Sequence, residues 1–254
     1  MCTLILLDRV VPQIPVIAAT NRDEFFARPA LAPALIPGAG KRPACVAPRD
    51  LDAGGTWMGV NARRLFVGLT NRPVAAKPLG ARSRGLLVLD ALAQTSAEAV
   101  VSETERQESI RYAPFNLLSA DGNETWLVRR THEGQTARAL DPGIHVVCNR
   151  DPEDPSSEKV RRIEKEVAGI QLGLPPERLL QELFRVLRSH PSGSNPFENP
   201  CVHTGEYGTR SSSVLFVGES RSAYWYADGA PCESEYRDFT GLLDDLRASA
   251  GVRA

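Results

Sequence analysis

The amino-acid sequence predicts an α+β fold in which antiparallel strands and helices form separate layers. Apolar strands follow one another as hairpins, and the helical segments within residues 83–106 come as a pair rather than as single crossovers between parallel strands. With 254 residues, 42% of them hydrophobic, the chain can bury a sizeable core. We expect one domain over residues 1–254, because no repeat, low-complexity tract or clean linker divides it.

The first half of the chain opens with two predicted hairpins. CTLILL (2–7) and VIAATNRDE (16–24) are joined by a turn-rich segment, and both are apolar enough to lie inside a layered fold. GGTWMGV (54–60) and RLFVGLTNR (64–72) form the second hairpin. The Pro- and Gly-rich stretch between the hairpins, residues 28–48, is too irregular for a helix and is predicted as a loop at a rim or lid.

The later elements follow the same patterns. A serine precedes each predicted helix of the pair, where its side chain can cap the first free N–H groups. In PPERLLQELFRVLRSH, apolar residues recur at helical spacing behind a proline that suits a helix start. The later predicted elements are helices at 83–93, 96–106, 175–190 and 240–250, and strands at 115–120, 124–130, 143–150, 212–218 and 222–228.

Charge and cysteine content exclude several classes of protein. The 30 basic and 31 acidic residues give a net charge of −1, so we expect neither nucleic acid nor an anionic membrane as a partner. The opening apolar stretch ends at Leu7 and is too short for a signal peptide or a membrane span. The five cysteines include no CxxC pair, which argues against a disulfide framework and a zinc ribbon. These observations favour a cytoplasmic protein without integral membrane association.

Cys2 is the first candidate functional residue. Aminopeptidases remove an initiator methionine when the next side chain is small, so Cys2 can become the first residue of the mature chain. A terminal cysteine carries a thiol nucleophile and an α-amine with an ordinary pKa of about 8, and this amine can act as the general base. The alternative is that Cys2 is a small core residue at the start of a buried strand.

A polar run, NRDE (21–24), ends the strand that is predicted to pair with the strand of Cys2. Alternation along a strand places Asn21 and Asp23 on one face, and Arg22 and Glu24 on the other. A cation near the thiol would favour the thiolate, and a carboxylate could orient the amine. The alternative is a structural ion-pair cluster at the end of a strand.

Several stretches carry a resemblance to a known family. MCT, the NRDE run, GGTWMGVN, GLTNRP and YGTRSSSV resemble the NRDE family, also called the TANGO2-like proteins, over nearly the whole chain. That family in turn resembles the cysteine N-terminal nucleophile (Ntn) hydrolases that cleave linear amides, such as the choloylglycine hydrolases and penicillin V acylases. The resemblance implies a four-layer αββα sandwich of the Ntn-hydrolase type.

The resemblance also implies a catalytic site in which Cys2 is the nucleophile. The hydrolases' next motif has arginine and aspartate three positions apart, whereas Arg22 is followed directly by Asp23, so either Asp23 or Glu24 is the carboxylate that meets the amine. The implied catalytic residues are Cys2, Arg22, Asp23, Asn71, Asn149 and Arg210, and the implied substrate-binding residues are Asn21, Glu24 and Trp57.

Two of these positions correspond to oxyanion-hole asparagines. Asn71 ends the strand of NARRLFVGLTN, and Asn149 ends the strand of HVVCNRDP. Two amide donors that converge on a developing oxyanion would stabilise attack by a thiolate. Asn71 as an ordinary turn residue, and Arg210 as a member of a surface salt bridge, are the alternatives.

The sequence therefore predicts an N-terminal-cysteine hydrolase that cleaves a small linear amide or acyl compound through an acyl-enzyme, without a metal or organic cofactor. The expected partner is a small amide, acyl or lipid-like molecule, bound between loops at 30–50 and 190–206. A non-catalytic binding or carrier protein for lipid, acyl-CoA or haem, with the same fold, is the alternative that the family resemblance implies.

A third hypothesis places a cysteine–histidine dyad or a metal site elsewhere in the chain. His145 lies near Cys148, and Cys201 lies near His203, so a papain-like enzyme or a bound metal can be imagined. Neither spacing is diagnostic, and a CxH pair in a Gly-, Pro- and Asn-rich loop is usually incidental. This hypothesis has the weakest support.

Overall fold

The computed structural model describes residues 2–74, 78–107, 110–149, 157–191 and 195–249. Its strands are β1 (Thr3–Asp8), β2 (Val16–Phe25), β3 (Ala30–Ile36), β4 (Cys45–Asp50), β5 (Met58–Asn61), β6 (Phe66–Asn71), β7 (Phe115–Ala120), β8 (Thr125–Arg130), β9 (Gln135–Leu140), β10 (Gly143–Val147), β11 (Tyr207–Val217), β12 (Ala223–Ala227) and β13 (Arg237–Asp238). Its α-helices are α1 (Arg84–Ala91), α2 (Ala97–Arg106), α3 (Glu158–Ala168), α4 (Pro176–Arg188) and α5 (Thr240–Ser249).

The chain divides into two compact units, and the first comprises Met1–Arg28 and Pro142–Phe239. Its six-stranded antiparallel sheet has the order β10-β1-β2-β11-β12-β13, and helices α3 and α4 pack on it. Val160 and Ile163 of α3 and Leu183 of α4 are buried with Ile5 and Ile17 of the sheet in one apolar cluster. The predicted N-terminal hairpin is confirmed, and its strands are the central pair β1 and β2.

The second unit comprises Pro29–Asp141 and Thr240–Ala254. Its seven-stranded antiparallel sheet runs in chain order from β3 to β9, and helices α1, α2 and α5 pack on its strands. The predicted helix pair is confirmed together with its caps, because Ser83 accepts a hydrogen bond from the Gly85 amide and Ser96 accepts one from the Ala99 amide. The single-domain organisation stays a prediction.

The predicted loop at 28–48 is wrong in one respect, since it contains β3 and most of β4. Pro33 hid the first of these strands. A proline cannot donate a ladder hydrogen bond, and it is tolerated here because β3 lies at the edge of the sheet and its pairing with β4 shifts register between Leu31 and Ala34. The prediction that this stretch is not a helix is confirmed. The sequence patterns also missed β9 and α3.

Among the described residues, no helix combines the length and the apolar character that are needed to cross a bilayer.

Candidate active site

The candidate site is built where strands of the first unit end. Cys2 directly precedes β1, and Asn149 follows β10, which pairs with β1 in an antiparallel register that places Leu4 opposite Val147. On the other side of β1, Thr3 lies opposite Asn21 of β2. This register brings Cys2 and Asn149 together, and the backbone nitrogen of Cys2 donates a hydrogen bond of 2.6 Å to the side-chain oxygen of Asn149.

The thiol of Cys2 lies in a buried polar environment. The residue is 9% exposed in the chain that carries Met1. Burial raises the pKa of the Cys2 thiol, the carboxylate of Asp23 acts in the same direction, and the guanidinium of Arg22 acts in the opposite one. The resting thiol is therefore protonated at neutral pH and needs a base before it can act as a nucleophile.

Asp23 is the centre of a buried network beside Cys2. One carboxylate oxygen accepts a hydrogen bond of 2.7 Å from the Thr209 hydroxyl, and the other lies 3.5 Å from the ammonium nitrogen of Lys159. Burial raises the pKa of Asp23, whereas Lys159 and Thr209 act against that rise. The side chains of Asp23 and Lys159 are both almost fully buried, so each charge depends on the other.

The two faces of the NRDE run make different contacts, as the alternation predicts. The Asn21 amide donates to the carbonyl oxygens of Leu187 and Pro200, both at 2.9 Å. On the other face, Glu24 lies 4.0 Å from Arg22 and 3.8 Å from Arg28. The Asn21 hydrogen bonds tie β2 to the end of α4 and to the loop at Pro200, whereas the Glu24 ion pairs stay within β2 and the turn after it.

Of the two carboxylates that the sequence left open, Asp23 is the one that acts electrostatically on the Cys2 thiol. Glu24 is partly exposed and belongs to the ion pairs with Arg22 and Arg28. Which of the two carboxylates meets the α-amine stays a prediction. A catalytic role for Arg22, Asp23 or Asn149 stays a prediction.

Arg210 lies at an irregularity in the pairing of β2 with β11. The register shifts between Thr209 and Ser211, so Arg210 is the extra residue of a bulge. Its guanidinium forms an ion pair of 2.6 Å with Asp228, as in the salt-bridge alternative. A role for Arg210 in catalysis stays a prediction.

Asn71 and Trp57 belong to the second unit. Asn71 is the last residue of β6 and lies opposite Phe115 of β7. Trp57 precedes β5, and its backbone carbonyl accepts a hydrogen bond from the Leu69 amide. Both side chains are half-buried. Their predicted roles, in the oxyanion hole and in substrate binding respectively, stay predictions.

Lys159 and Thr209 are the site residues that the sequence patterns missed. Lys159 stands four residues before Ile163 and eight before Val167, so it occupies a position on the buried stripe of α3. A lysine on such a stripe is the signal that could have identified it, because a fully buried lysine needs a partner. Thr209 precedes the bulge and carried no comparable signal.

The structure also brings together four residues outside the NRDE network. Cys201 and His203 contact each other and Cys232, and His190 lies beside them. The CxH pair thus contacts a cysteine from a distant segment, and the hypothesis of a dyad or metal site at these residues stays a prediction. Within the described ranges, the ligand atoms of His190, His203 and Cys232 all lie within 4.8 Å of one another, and the Cys201 sulfur contacts His203 and Cys232.

Solved structures with the same fold are Ntn hydrolases. Penicillin V acylase from Agrobacterium tumefaciens matches with a TM-score of 0.62, 14% identity and coverage of 96% of this chain and 88% of its own. The Caenorhabditis elegans ortholog of N-acylethanolamine-hydrolyzing acid amidase matches with a TM-score of 0.57, 11% identity and coverage of 84% and 92%. The predicted fold class is confirmed: this is a protein of the Ntn-hydrolase sandwich fold, with a cysteine at position 2.

Sequence comparison identifies the family. The model of the family Transport and Golgi organisation 2 matches residues 1–228, so the chain belongs to this family, as its motifs predict. The Transport and Golgi organization protein 2 homolog of Bos taurus is 27% identical over 228 residues, which cover 79% of this chain and 81% of the relative. Transport and Golgi organization protein 2 of Drosophila melanogaster is 26% identical over 260 residues, covering 89% and 90%.

Proposed function

We propose that the chain, once Met1 is removed, is an N-terminal-cysteine hydrolase that cleaves a small linear amide or acyl compound. The observation that carries this proposal is the 2.6 Å hydrogen bond from the Cys2 nitrogen to the side-chain oxygen of Asn149. In the mature chain this nitrogen is the α-amine, and Asn149 would hold it in one orientation beside its own thiol. A fixed amine can accept the thiol proton without a histidine.

The first half of the proposed reaction forms an acyl-enzyme. The Cys2 thiol gives its proton to the neutral α-amine while its sulfur bonds to the substrate carbonyl carbon, and the carbonyl electron pair moves onto the oxygen. When the oxyanion collapses, the carbon–nitrogen bond breaks and the α-ammonium returns its proton to the leaving amine. Water then attacks the thioester with the α-amine as base, which releases the acid and restores the thiol.

The buried thiol makes such a base necessary. Since burial raises the pKa of Cys2, a preformed thiolate is scarce at neutral pH, and the proton must leave during the attack itself. The Arg22 charge lowers the cost of the negative charge on sulfur. Asp23, held by Thr209 and Lys159, would orient the amine. Asn149, in the same unit as Cys2, is the proposed amide of the oxyanion hole.

The names of the structural neighbours suggest where a substrate search begins. They are a penicillin V acylase, a conjugated bile acid hydrolase and an N-acylethanolamine-hydrolyzing acid amidase. The substrates in these names share an acyl group on an amide nitrogen. We therefore propose acyl amides as the substrate class, with Asn21 and Glu24 as candidate binding residues.

A non-catalytic carrier for lipid, acyl-CoA or haem is the second candidate function. The protonated, buried thiol of Cys2 favours it, because a carrier does not need an activated nucleophile. The curated relatives are named for transport and Golgi organization, not for hydrolysis. Under this hypothesis the polar network around Asp23 is structural, and the protein binds its ligand without turnover.

Three measurements separate the two functions. Intact-mass spectrometry of the purified chain is expected to show loss of Met1. Screening against penicillin V, a conjugated bile acid and an N-acylethanolamine, with acyl thioesters beside them, is expected to give turnover with at least one. Cys2→Ala and Cys2→Ser are expected to abolish that turnover, while Cys45→Ala, a buried cysteine of the second unit, is expected to retain it.

The outcome that would exclude the self-basic mechanism is hydrolysis by protein that retains Met1, because its Cys2 nitrogen is an amide and cannot act as a base. A carrier would instead show ligand bound equally by the wild type and Cys2→Ala, with no turnover by either. Mass spectrometry of ligand retained through purification would then identify its cargo.

A further inference from the structure

Four side chains of the first unit converge at a place that the proposed hydrolase does not use. They are His190, which follows α4, Cys201 and His203, which lie on the loop before β11, and Cys232, which follows β12. Cys201 is buried, His203 and Cys232 are half-buried, and His190 is exposed. Each side chain offers one nitrogen or sulfur atom that can bind a transition metal.

The donor atoms already lie at metal-site separations. The ring nitrogen Nε2 of His203 is 3.0 Å from the sulfur of Cys232 and 3.4 Å from that of Cys201, and the two sulfurs are 3.6 Å apart. A tetrahedral Zn²⁺ with Zn–S of about 2.3 Å and Zn–N of about 2.0 Å separates two sulfurs by about 3.8 Å, and sulfur from nitrogen by about 3.5 Å. The three observed distances are therefore close to those of one coordination sphere.

His190 supplies a fourth donor. Its ligand atom lies within 4.8 Å of those of His203 and Cys232, and the rings of His190 and His203 are 5.3 Å apart at their centroids. Because His190 is exposed, its side chain can turn toward an ion without disturbing a packed core.

A carboxylate lies near the second ring nitrogen of His203. The Nδ1 atom of His203 lies 3.8 Å from a carboxylate oxygen of Glu233, while Nε2 faces the two sulfurs. Metal-binding histidines usually present one nitrogen to the ion and give the other N–H to such a partner, which fixes the tautomer. At 3.8 Å the two atoms are too far apart for a hydrogen bond, so the exposed Glu233 side chain must move slightly to become such a partner.

Hydrogen bonds hold together the three chain segments that carry the proposed ligands. The Cys201 amide donates to the Ser189 carbonyl at 3.1 Å, which joins the loop of Cys201 to the residue before His190. The guanidinium of Arg188 donates to the Pro231 carbonyl at 2.9 Å, next to Cys232. These hydrogen bonds bring the ligand-bearing segments into place before any ion binds.

We propose that Cys201, His203, Cys232 and His190 form a Zn²⁺ site. Two thiolates balance the two charges of the ion, and a mixed sulfur and imidazole set suits zinc. Four protein ligands leave no open position, so the ion is structural rather than catalytic.

The proposed zinc site is connected to the Asp23 network of the candidate active site through Thr209. The amide of Val202, between two of the ligands, donates to the Thr209 hydroxyl oxygen at 2.9 Å, and that hydroxyl donates to Asp23. A zinc ion that fixes residues 201–203 would thereby hold Thr209 in position. The site itself stands on the donor geometry and does not depend on hydrolase activity.

The test uses the full chain, reduced, stripped of metal with a chelator and then titrated. Elemental analysis is expected to find one Zn²⁺ per chain. Co²⁺ is expected to give sulfur-to-cobalt charge-transfer absorption and the intense visible bands of a tetrahedral ion. The double variant C201S/C232S is expected to weaken zinc binding by more than roughly 100-fold, since loss of an outer-shell partner alone costs 10–100-fold. Glu233→Gln is expected to weaken it by about 10-fold.

Matched variants keep the result specific. His132→Ala, an exposed histidine of the second unit, and Cys45→Ala are expected to bind zinc as the wild type does, and so is Cys2→Ala. Circular dichroism checks that each variant is folded. The proposal is overturned if the reduced wild type gives no sulfur-to-cobalt band, if folded C201S/C232S binds zinc as tightly as the wild type, or if Cys201 and Cys232 are found as a disulfide whose reduction restores no metal binding.

Discussion

The nitrogen of Cys2 and the side-chain oxygen of Asn149 are joined by a hydrogen bond although the two residues are 147 positions apart in the chain. The antiparallel pairing of β1 with β10 produces this contact, because it brings the start of one strand to the end of the other. In the mature chain, the same contact would set the orientation and the proton affinity of the α-amine. Substitution of Asn149 therefore tests the proposed base directly.

Asn149→Asp is expected to move the pH dependence of amide hydrolysis to higher pH. A carboxylate beside the α-amine stabilises its ammonium form and raises its pKa from about 8 by about one unit. Since the amine must be neutral to accept the thiol proton, the rising limb of the kcat/KM profile shifts alkaline by the same amount. Because Asn149 is also a proposed amide of the oxyanion hole, Asn149→Ala and Asn149→Asp are both expected to lower kcat by roughly 10²-fold, so the shift of the profile, and not the loss of rate, reports on the base.

The profile is measured on the acyl amide that the screen identifies, with Asn123→Asp, an exposed asparagine of the second unit, as the control that leaves it unchanged. An Asn149→Asp profile that coincides with the wild type would show that the α-amine is not the base.

Lys159→Met is expected to destabilise the protein strongly. The substitution leaves the buried carboxylate of Asp23 without the ammonium that lies 3.5 Å from it. Breaking a buried pair from one side costs about 3–5 kcal/mol, because an uncompensated charge stays in the interior. Adding Asp23→Asn is expected to recover part of that loss. Urea unfolding of both single variants and of the double variant gives the coupling energy.

The ion pairs of Arg185 on α4 provide the comparison. Arg185 lies 3.4 Å from Glu166 of α3 and 2.9 Å from Glu182 of α4, and its side chain is half exposed. Arg185→Met is expected to cost less than about 1 kcal/mol. If the effects of Lys159→Met and Asp23→Asn on the free energy of unfolding simply add, the two buried charges do not depend on each other.

Thr209→Val is expected to lower the free energy of unfolding by about 1–3 kcal/mol. The substitution keeps the size of the side chain but removes the hydroxyl that donates to Asp23 and accepts from the Val202 amide. Thr209→Ser keeps that hydroxyl and is expected to lose much less. Urea unfolding at pH 7.5 compares the two variants, and a loss from Thr209→Val no larger than that from Thr209→Ser would show that the hydroxyl's hydrogen bonds contribute no more than the methyl packing does.

The sequence predicted the part of the site that depends on local pattern. An apolar hairpin with a polar run at the end of its second strand places NRDE next to Cys2, and strand alternation separates Asn21 and Asp23 from Arg22 and Glu24. Family resemblance added Asn149, whose partner is far away in the chain. Fold class followed from the same hairpins and from the helix pair.

The features that the sequence patterns missed depend on contacts between distant parts of the chain, or on a residue that breaks the usual strand pattern and is accepted at its position. Lys159 meets Asp23 across 136 positions, and nothing local to α3 names its partner. Cys232 lies 29 positions beyond His203, so the spacing of the CxH pair could not show the convergence with it. Pro33 disguised β3, because a proline weakens a strand pattern even at an edge where the sheet accepts it.

The stability of the protein is expected to fall between pH 9 and pH 11, in part because of Cys148. Burial raises the pKa of this thiol from 9.0 to about 11. The folded state therefore holds the proton more tightly than the unfolded state does. The contribution of the Cys148 thiol to the free energy of unfolding is fully present below pH 9. It is lost as the pH rises through the pKa of the folded state, by about 3 kcal/mol in all. Cys148→Ala is expected to show a correspondingly smaller decline over the same window.

Urea unfolding at intervals from pH 8 to pH 11 measures the decline. Burial also raises the pKa of Cys45 to about 11, so a slope remains in Cys148→Ala, and the quantity to compare is the difference between the two curves. Ser102→Ala, an exposed change on α2, is expected to follow the wild type. Parallel curves for the wild type and Cys148→Ala would mean that the Cys148 thiol has the same pKa in the folded and unfolded states.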